Sequence, residues 1–334
     1  MRKEVALGVA VVIVLAISGL LAWSLSPRAS SPEKPELLSI GLKPAEANAL
    51  IYIAEDKGLF TGNGLQVTIK NYTTKLQSFK GMENGDVDIS VISEYPVVAA
   101  AFEGANISII GSTCRYQDQY LVARRDRGIE KVSDLQGKKI GVPSGTIGEF
   151  YLGRFLDLHG VSPEGVTIEN TPFTQAGDAI FNGSVDAVLI YDGAPRSSET
   201  LSGNNFSAWP VQSGQPSYDV ITCRDDWISG HQVSITRLLT SLVQAEEYMA
   251  DHPAEGRAIV QKRMDRTEAQ MATIWPRFQF SLILDQSLVL AMEDEGRWMI
   301  RNNLTDATTI PDYRYYIFQK GLEEIKPESV NIIG

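Results

Sequence analysis

The residues best placed to do chemistry lie in GKKIGVPSGTIGEF, residues 137–150. Residues 139–142 read as a short buried strand, and Pro143, Ser144 and Gly145 as a tight turn. Thr146 followed three residues later by Glu149 has the spacing of a capping box at a helix start. A strand, a glycine-bearing turn and a helix together aim free backbone N–H groups at one point, which suits an anion or a polar ligand group. The same pattern also describes an ordinary strand-to-helix turn. It is not a P-loop, because Gly145 is followed by Thr146-Ile147 rather than Lys-Ser/Thr, and the three spaced glycines with an acidic residue beyond the next strand that a dinucleotide loop needs are not clearly present.

Other chemistries find little footing. The chain has 334 residues, a net charge of −11 and no basic cluster, so nucleic acid is not an expected partner. Two cysteines, Cys114 and Cys223, and three histidines are scattered without metal-ligand spacing, so neither a metal site nor a cofactor is expected. An oxidising compartment would permit a Cys114–Cys223 disulfide, which the sequence does not require. No GxSxG elbow occurs, and no histidine is placed to activate Ser144.

The elements that position this loop occur twice. Residues 38–42 read as a strand, 48–56 as a helix, 65–70 as a strand, 76–84 as a helix and 87–92 as a buried strand, a βαβαβ order. About 100 residues later it recurs. Ile40-Gly41-Leu42 matches Ile140-Gly141-Val142, Val67-Thr68-Ile69 matches Val166-Thr167-Ile168, and Asn84-Gly85-Asp86-Val87-Asp88 matches Asn182-Gly183-Ser184-Val185-Asp186. The repeat predicts two similar parallel-sheet lobes, with ligands beyond the carboxyl ends of the strands and a cleft between them. Residues 109–124 carry the chain into the second lobe, and residues 213–217 with 218–224 carry it back. That makes a two-segment hinge, with lobe 1 at residues 37–113 and 225–334 and lobe 2 at 114–224. Beyond the return, Leu238, Leu242, Ala245 and Met249 mark the core face of a helix. Further helices are expected around 254–263 and 267–275 and within 284–302, and the tail from Tyr313 onward should pack on lobe 1.

Arg2 and Lys3 precede an apolar run at residues 5–25, roughly 30 Å long as a helix, which matches a bilayer core. The basic flank orients the N-terminus to the cytoplasm and the rest outside. An uncleaved signal anchor is favoured over a cleaved signal peptide, and no cysteine follows the run to take a lipid. Residues 26–36, rich in Pro and Ser, form a spacer. Five N-x-S/T triplets (Asn71, Asn106, Asn182, Asn205, Asn303) are compatible with export.

The segments LIYIAEDKGLFTGNGLQV (50–67), GMENGDVDISV (81–91), GIEKVSDLQGKKIGVPSGT (128–146), NGSVDAVLIYDGAP (182–195) and WPRFQFSLILDQSL (275–288) resemble one family. It is the nitrate/sulfonate/taurine/thiamine-precursor class of ABC-transporter solute-binding proteins, and the resemblance runs from about residue 38 to 328. It implies the periplasmic-binding-protein type II fold, no catalysis, and capture of a small solute outside the cytoplasm for a permease and ATPase. Carried over by position, it implies ligand contacts from Pro44, Ala45, Glu46, Ser93, Glu94, Tyr95, Ser144, Gly145, Thr146, Tyr191 and Asp192, with Arg115 on the crossing. Arg115 would pair a carboxylate or sulfonate, whereas acidic Glu46, Glu94 and Asp192 would favour an amine or amidine. The family often carries Trp-x-Pro at Tyr191-Asp192, so the ligand wall differs here. A small anion such as an organosulfonate and a thiamine-pyrimidine-like solute are both compatible. Enzymes of the same fold are the alternative, one of them needing a cysteine cluster and an active-site histidine that this chain lacks.

Overall fold

The computed structural model describes residues 34–191 and 205–333, of which those from Glu36 onward belong to one compact unit. The apolar run at 5–25 lies outside the described residues, and among those described no helix is long and apolar enough to cross a membrane. The first repeat builds β1 (Glu36–Leu42), β2 (Leu65–Asn71) and β3 (Ile89–Ser93), with helices Ala49–Asp56 and Lys75–Glu83 between them. Strand β4 (Ile107–Tyr116) then runs up to the cleft and β5 (Gln119–Arg124) leaves it. The second repeat gives β6 (Lys139–Val142), β7 (Thr167–Asn170) and β8 (Ala187–Tyr191), with helices Ile147–Leu158 and Ala176–Asn182. After β9 (Phe206–Pro210) and β10 (Ser217–Arg224), helices at Gln232–Asp251, Pro253–Arg263 and Glu268–Ile274 precede β11 (Phe278–Asp285). Helix Gln286–Arg301 and a short β12 (Val330–Asn331) follow.

Among the described residues two sheets form, in the orders β12-β11-β4-β10-β3-β1-β2 and β7-β6-β8-β5-β9. The repeat is visible in their centres, where β1 lies parallel between β2 and β3 and β6 lies parallel between β7 and β8. The sheets are mixed rather than wholly parallel. Strands β5 and β10 start at the cleft, so each runs opposite to the parallel strand it joins, β8 or β3. Strands β4 and β10 both lie in the first sheet, so the crossings fall between Tyr116 and Gln119 and between Val211 and Ser217. This gives residues 114–116 and 217–224 to the first sheet, where the sequence boundaries gave them to the second lobe. Strand β11, unannounced in sequence, extends the first sheet antiparallel to β4.

One buried side chain stitches the crossings together. Gln212 is 2% exposed. Its Oε1 accepts from the N–H of Asp118 at 2.8 Å and of Gln119 at 3.1 Å, and its Nε2 donates to the Tyr116 carbonyl at 3.1 Å. Nearby, the hydroxyl of Ser217 donates to Tyr151 of the second lobe at 3.2 Å. Cys114 and Cys223 are both buried free thiols, so no disulfide joins them.

A continuous apolar core runs from β1 through helix Gln232–Asp251, whose Leu238, Leu242 and Ala245 are buried as their spacing requires while Met249 is half-buried. The repeated glycines have a packing reason. A Cβ on Gly41 would lie 2.9 Å from Ser78 Oγ and 3.0 Å from the Tyr72 ring, and one on Gly141 would lie 2.7 Å from Thr171 Oγ1. In each half the segment after the second strand folds back against the first strand, leaving no room for a side chain. Gly41→Ala and Gly141→Ala should each destabilise the protein by about 1–3 kcal/mol, the usual cost of overpacking. A lower urea midpoint with unchanged slope would show it.

Candidate functional site

A cavity of about 290 Å³ opens between the carboxyl ends of the parallel strands of the two sheets. Its wall repeats the chain's own repeat. The first half contributes residues 43 and 45–47 after β1, residues 73–76 after β2, and Ser93 ending β3 with Pro96 beyond it. The second half contributes residues 143–147 after β6, residues 170 and 172–174 at and beyond the end of β7, and Tyr191 ending β8. The crossing adds Tyr116, Asp118 and Gln119, and the start of β11 adds Phe278.

Of the residues expected at the site, Ala45, Glu46, Ser93, Ser144, Gly145, Thr146 and Tyr191 line this cavity. Pro44 is exposed and does not line it. Glu94 and Tyr95 turn into the protein and are 0% and 2% exposed. Arg115 also misses the cavity, because side chains alternate along β4. Cys114 and Tyr116 pack with Ala47 at the cavity side, while Arg115 reaches Asp285 at 3.5 Å. Asp192 lies outside the described residues.

The loop 144–146 is less open than its sequence promised. Ser144 N–H donates to Asn170 Oδ1 at 3.1 Å and Gly145 N–H to Glu149 Oε2 at 2.9 Å. The Thr146 hydroxyl donates to the Pro143 carbonyl at 2.8 Å, so the expected capping box is not formed. Glu149 instead closes the turn in which Gly145 holds φ +70°, a left-handed conformation natural to glycine. A complete capping box sits in the other half, at the start of helix Lys75–Glu83, between Thr74 and Gln77. The donors of both helix starts are therefore largely used within the protein, and side chains must supply much of the cavity's polarity.

Those side chains are arranged in pairs. Lys75 Nζ donates to the Tyr116 hydroxyl at 3.0 Å and forms an ion pair with Asp219, which is fully buried behind it. Glu46, 4% exposed, is held by Arg266 at 2.7 Å. Lys43 reaches across the cleft to the Tyr191 hydroxyl at 3.1 Å, its Nζ 4.3 Å from the ring centroid. Two aromatic pairs face the cavity, Tyr116 with Phe278 and Phe173 with Tyr191. Lys43, the two segments 73–76 and 172–174, Tyr116 and Phe278 were not singled out from sequence. For the two segments a signal existed, since the repeat placed β2 and β7 and ligands gather beyond strand ends.

Behind the cavity floor lies a pair of buried carboxyls. Glu94 and Glu295 are each 0% exposed, and the Tyr218 N–H donates to both oxygens of Glu94 at 3.2 Å. Burial pushes Glu94 up to about 8 and, with the charge of Glu94 second, pushes Glu295 well above the carboxylate range. Burial likewise raises the Cys114 thiol, so it is no ready nucleophile.

The profile of a family described as NMT1/THI5 like matches residues 47–256. A putative thiamine biosynthesis protein of Haemophilus influenzae is 26% identical over 213 residues, 62% of this chain and 67% of that protein. The 4-amino-5-hydroxymethyl-2-methylpyrimidine phosphate synthase of Schizosaccharomyces pombe is 25% identical over 211 residues, 63% of this chain and 58% of the enzyme. The periplasmic aliphatic sulphonate binding protein SsuA from Escherichia coli superposes with a TM-score of 0.69 at 18% identity, over 86% of this chain and 98% of that one. That likeness shows the fold, the two-lobed periplasmic-binding-protein type II arrangement.

The carboxyl pair makes a pH prediction. Carboxyls whose folded pKa is raised stabilise the fold when protonated, and that contribution is lost as pH rises from the usual carboxylate range through about 8. The melting temperature should fall over that interval, and Glu295→Gln should flatten the fall. Melting curves recorded at a series of pH values on both proteins check it.

Proposed function

The chain belongs to the NMT1/THI5-like family, and we propose that it is the extracytoplasmic solute-binding component of an ABC importer. It would take a small polar, anionic solute of the sulfonate kind into the interlobe cleft and present it to a permease driven by an ATPase. The observation that carries this reading is the cavity itself, lined by corresponding strand ends of both halves. A solute seated there touches both lobes, so its binding favours the closed form, the state a permease can recognise. Anchoring through the apolar run at 5–25, with residues 26–36 as spacer, belongs to the same proposal.

A second reading is a thiamine-pyrimidine-like solute. It is favoured by the two aromatic pairs on the cavity wall and by the names of two relatives, one a putative thiamine biosynthesis protein and the other a pyrimidine phosphate synthase. One of those relatives is an enzyme, so turnover must be tested beside binding. Against it stands the site's composition, since no cysteine or histidine lines the cavity among the described residues.

A thermal-shift panel of sulfonates, nitrate, bicarbonate, amino acids and pyrimidines separates these readings. A true ligand at a hundred times its Kd adds about 2.7 kcal/mol of stability and should be recovered unchanged. A panel without any shift, together with conversion of one compound, would overturn the transport reading. Arg115→Ala should leave the affinity of whichever compound binds unaltered, since Arg115 lies outside the cavity.

A further inference from the structure

Resting on the solute-binding reading, we infer that Lys43 is the residue that reads the ligand's charge, and that the cleft is built for a flat aromatic monoanion. Among the described residues, four carboxyl and amine side chains line the cavity: Lys43, Lys75, Glu46 and Asp118. Lys75 is neutralised by Asp219 and Glu46 by Arg266, and Asp118 also has its partner. Lys43 differs. Among the described residues its partner is the neutral phenol of Tyr191, through the hydroxyl at 3.1 Å and the ring face at 4.3 Å. The ammonium is thus held at the cavity wall by groups that fix its place without cancelling its charge. A ligand anion would supply the missing counter-charge where solvent screening is reduced. A lysine acts as a point charge, which suits a carboxylate or a sulfonate.

The walls define the rest of the ligand. Tyr116 and Phe278 lie with ring centroids 5.6 Å apart at the first sheet, and Phe173 meets Tyr191 edge-on at 5.1 Å on the second. Aromatic surfaces on both sides of a small cavity accept a planar ring in stacked or edge-on contact. Because Tyr191 belongs to one such pair and also seats Lys43, the ring and the anion of one ligand are read side by side.

The experiment is calorimetric titration of the full chain with benzenesulfonate, benzoate, neutral benzamide and cationic benzylamine, repeated on Lys43→Gln, Lys43→Arg and Tyr191→Phe. Unchanged melting temperatures of the unliganded variants show that each is folded. At least one aryl anion should bind at least tenfold tighter than benzamide or benzylamine. Lys43→Gln should lose at least tenfold for that anion, and Lys43→Arg should recover most of it. Tyr191→Phe should weaken it several-fold. The inference is overturned if benzamide or benzylamine binds as tightly as the anions, if Lys43→Gln retains the anion's affinity, or if no aryl anion binds at millimolar concentration. Binding of a neutral or cationic probe in the cleft would leave the solute-binding reading standing and remove only the charge assignment. Conversion of a probe to product would remove the reading itself.

Discussion

The cleft depends on a constraint that Gln212 satisfies. Wherever a chain passes between two sheets it leaves backbone N–H and C=O groups without ladder partners, and buried groups of that kind must be paired. Here two crossings run side by side, and one amide accepts from the first and donates to its carbonyl, tying the end of β4 and the start of β5 to the return. With both crossings fixed at the same edge, the carboxyl ends of the two parallel strand sets face one another. The cavity is a consequence of that placement. Its position between Tyr116 and Gln119 on one side and the strand-end loops on the other follows from where the chain can cross.

The same placement decides which residues are available to a solute. Helix starts face the cleft in both halves, yet their polar groups are satisfied locally, by Asn170 and Glu149 in one half and by the Thr74–Gln77 box in the other. A loop that closes its own hydrogen bonds is stiff, and stiffness in the wall lowers the ordering cost of binding. Discrimination then falls to the side chains that project from the rigid ends, above all Lys43, Lys75, the aromatic pairs and the hydroxyl groups. The buried Glu94 sits behind this wall, accepting from the N–H of Tyr218 in β10, and helix Gln286–Arg301, which carries the equally buried Glu295, also packs Trp298 against Phe150 of the second half. Floor, hinge and interlobe contact are therefore one connected piece of structure.

Much of the fold was legible because it is written twice. The matched Ile-Gly strands, the Val-Thr-Ile strands and the Asn-Gly turns placed the central parallel strands of both halves, and they explain Gly41 and Gly141 as points of close approach. The antiparallel additions were less visible. Strand β11 follows helix Glu268–Ile274, of which Met271 and Ile274 are buried, through a short turn, and its alternating FQFSLILD lies outside the repeat that marks the central strands. At the site, the repeat together with the family resemblance pointed to the loops after the first and third strands. It did not settle side-chain direction, so Arg115, Glu94 and Tyr95 were expected where their neighbours Tyr116 and Ser93 stand. Lys43 was passed over because its role depends on Tyr191, a residue 148 positions away that only the fold brings near.

The account turns on a solute held between the two halves, and calorimetry on a filled cleft tests it most directly. Thr146 lines the cavity from a half-buried loop position, so Thr146→Trp should fill it without touching the core. For the compound that binds best, the wild type should take up one molecule per chain with a negative heat-capacity change, the mark of buried apolar surface. The folded Thr146→Trp protein should show no heat of binding. Equal affinity and stoichiometry in the two proteins would place the solute elsewhere and contradict the account.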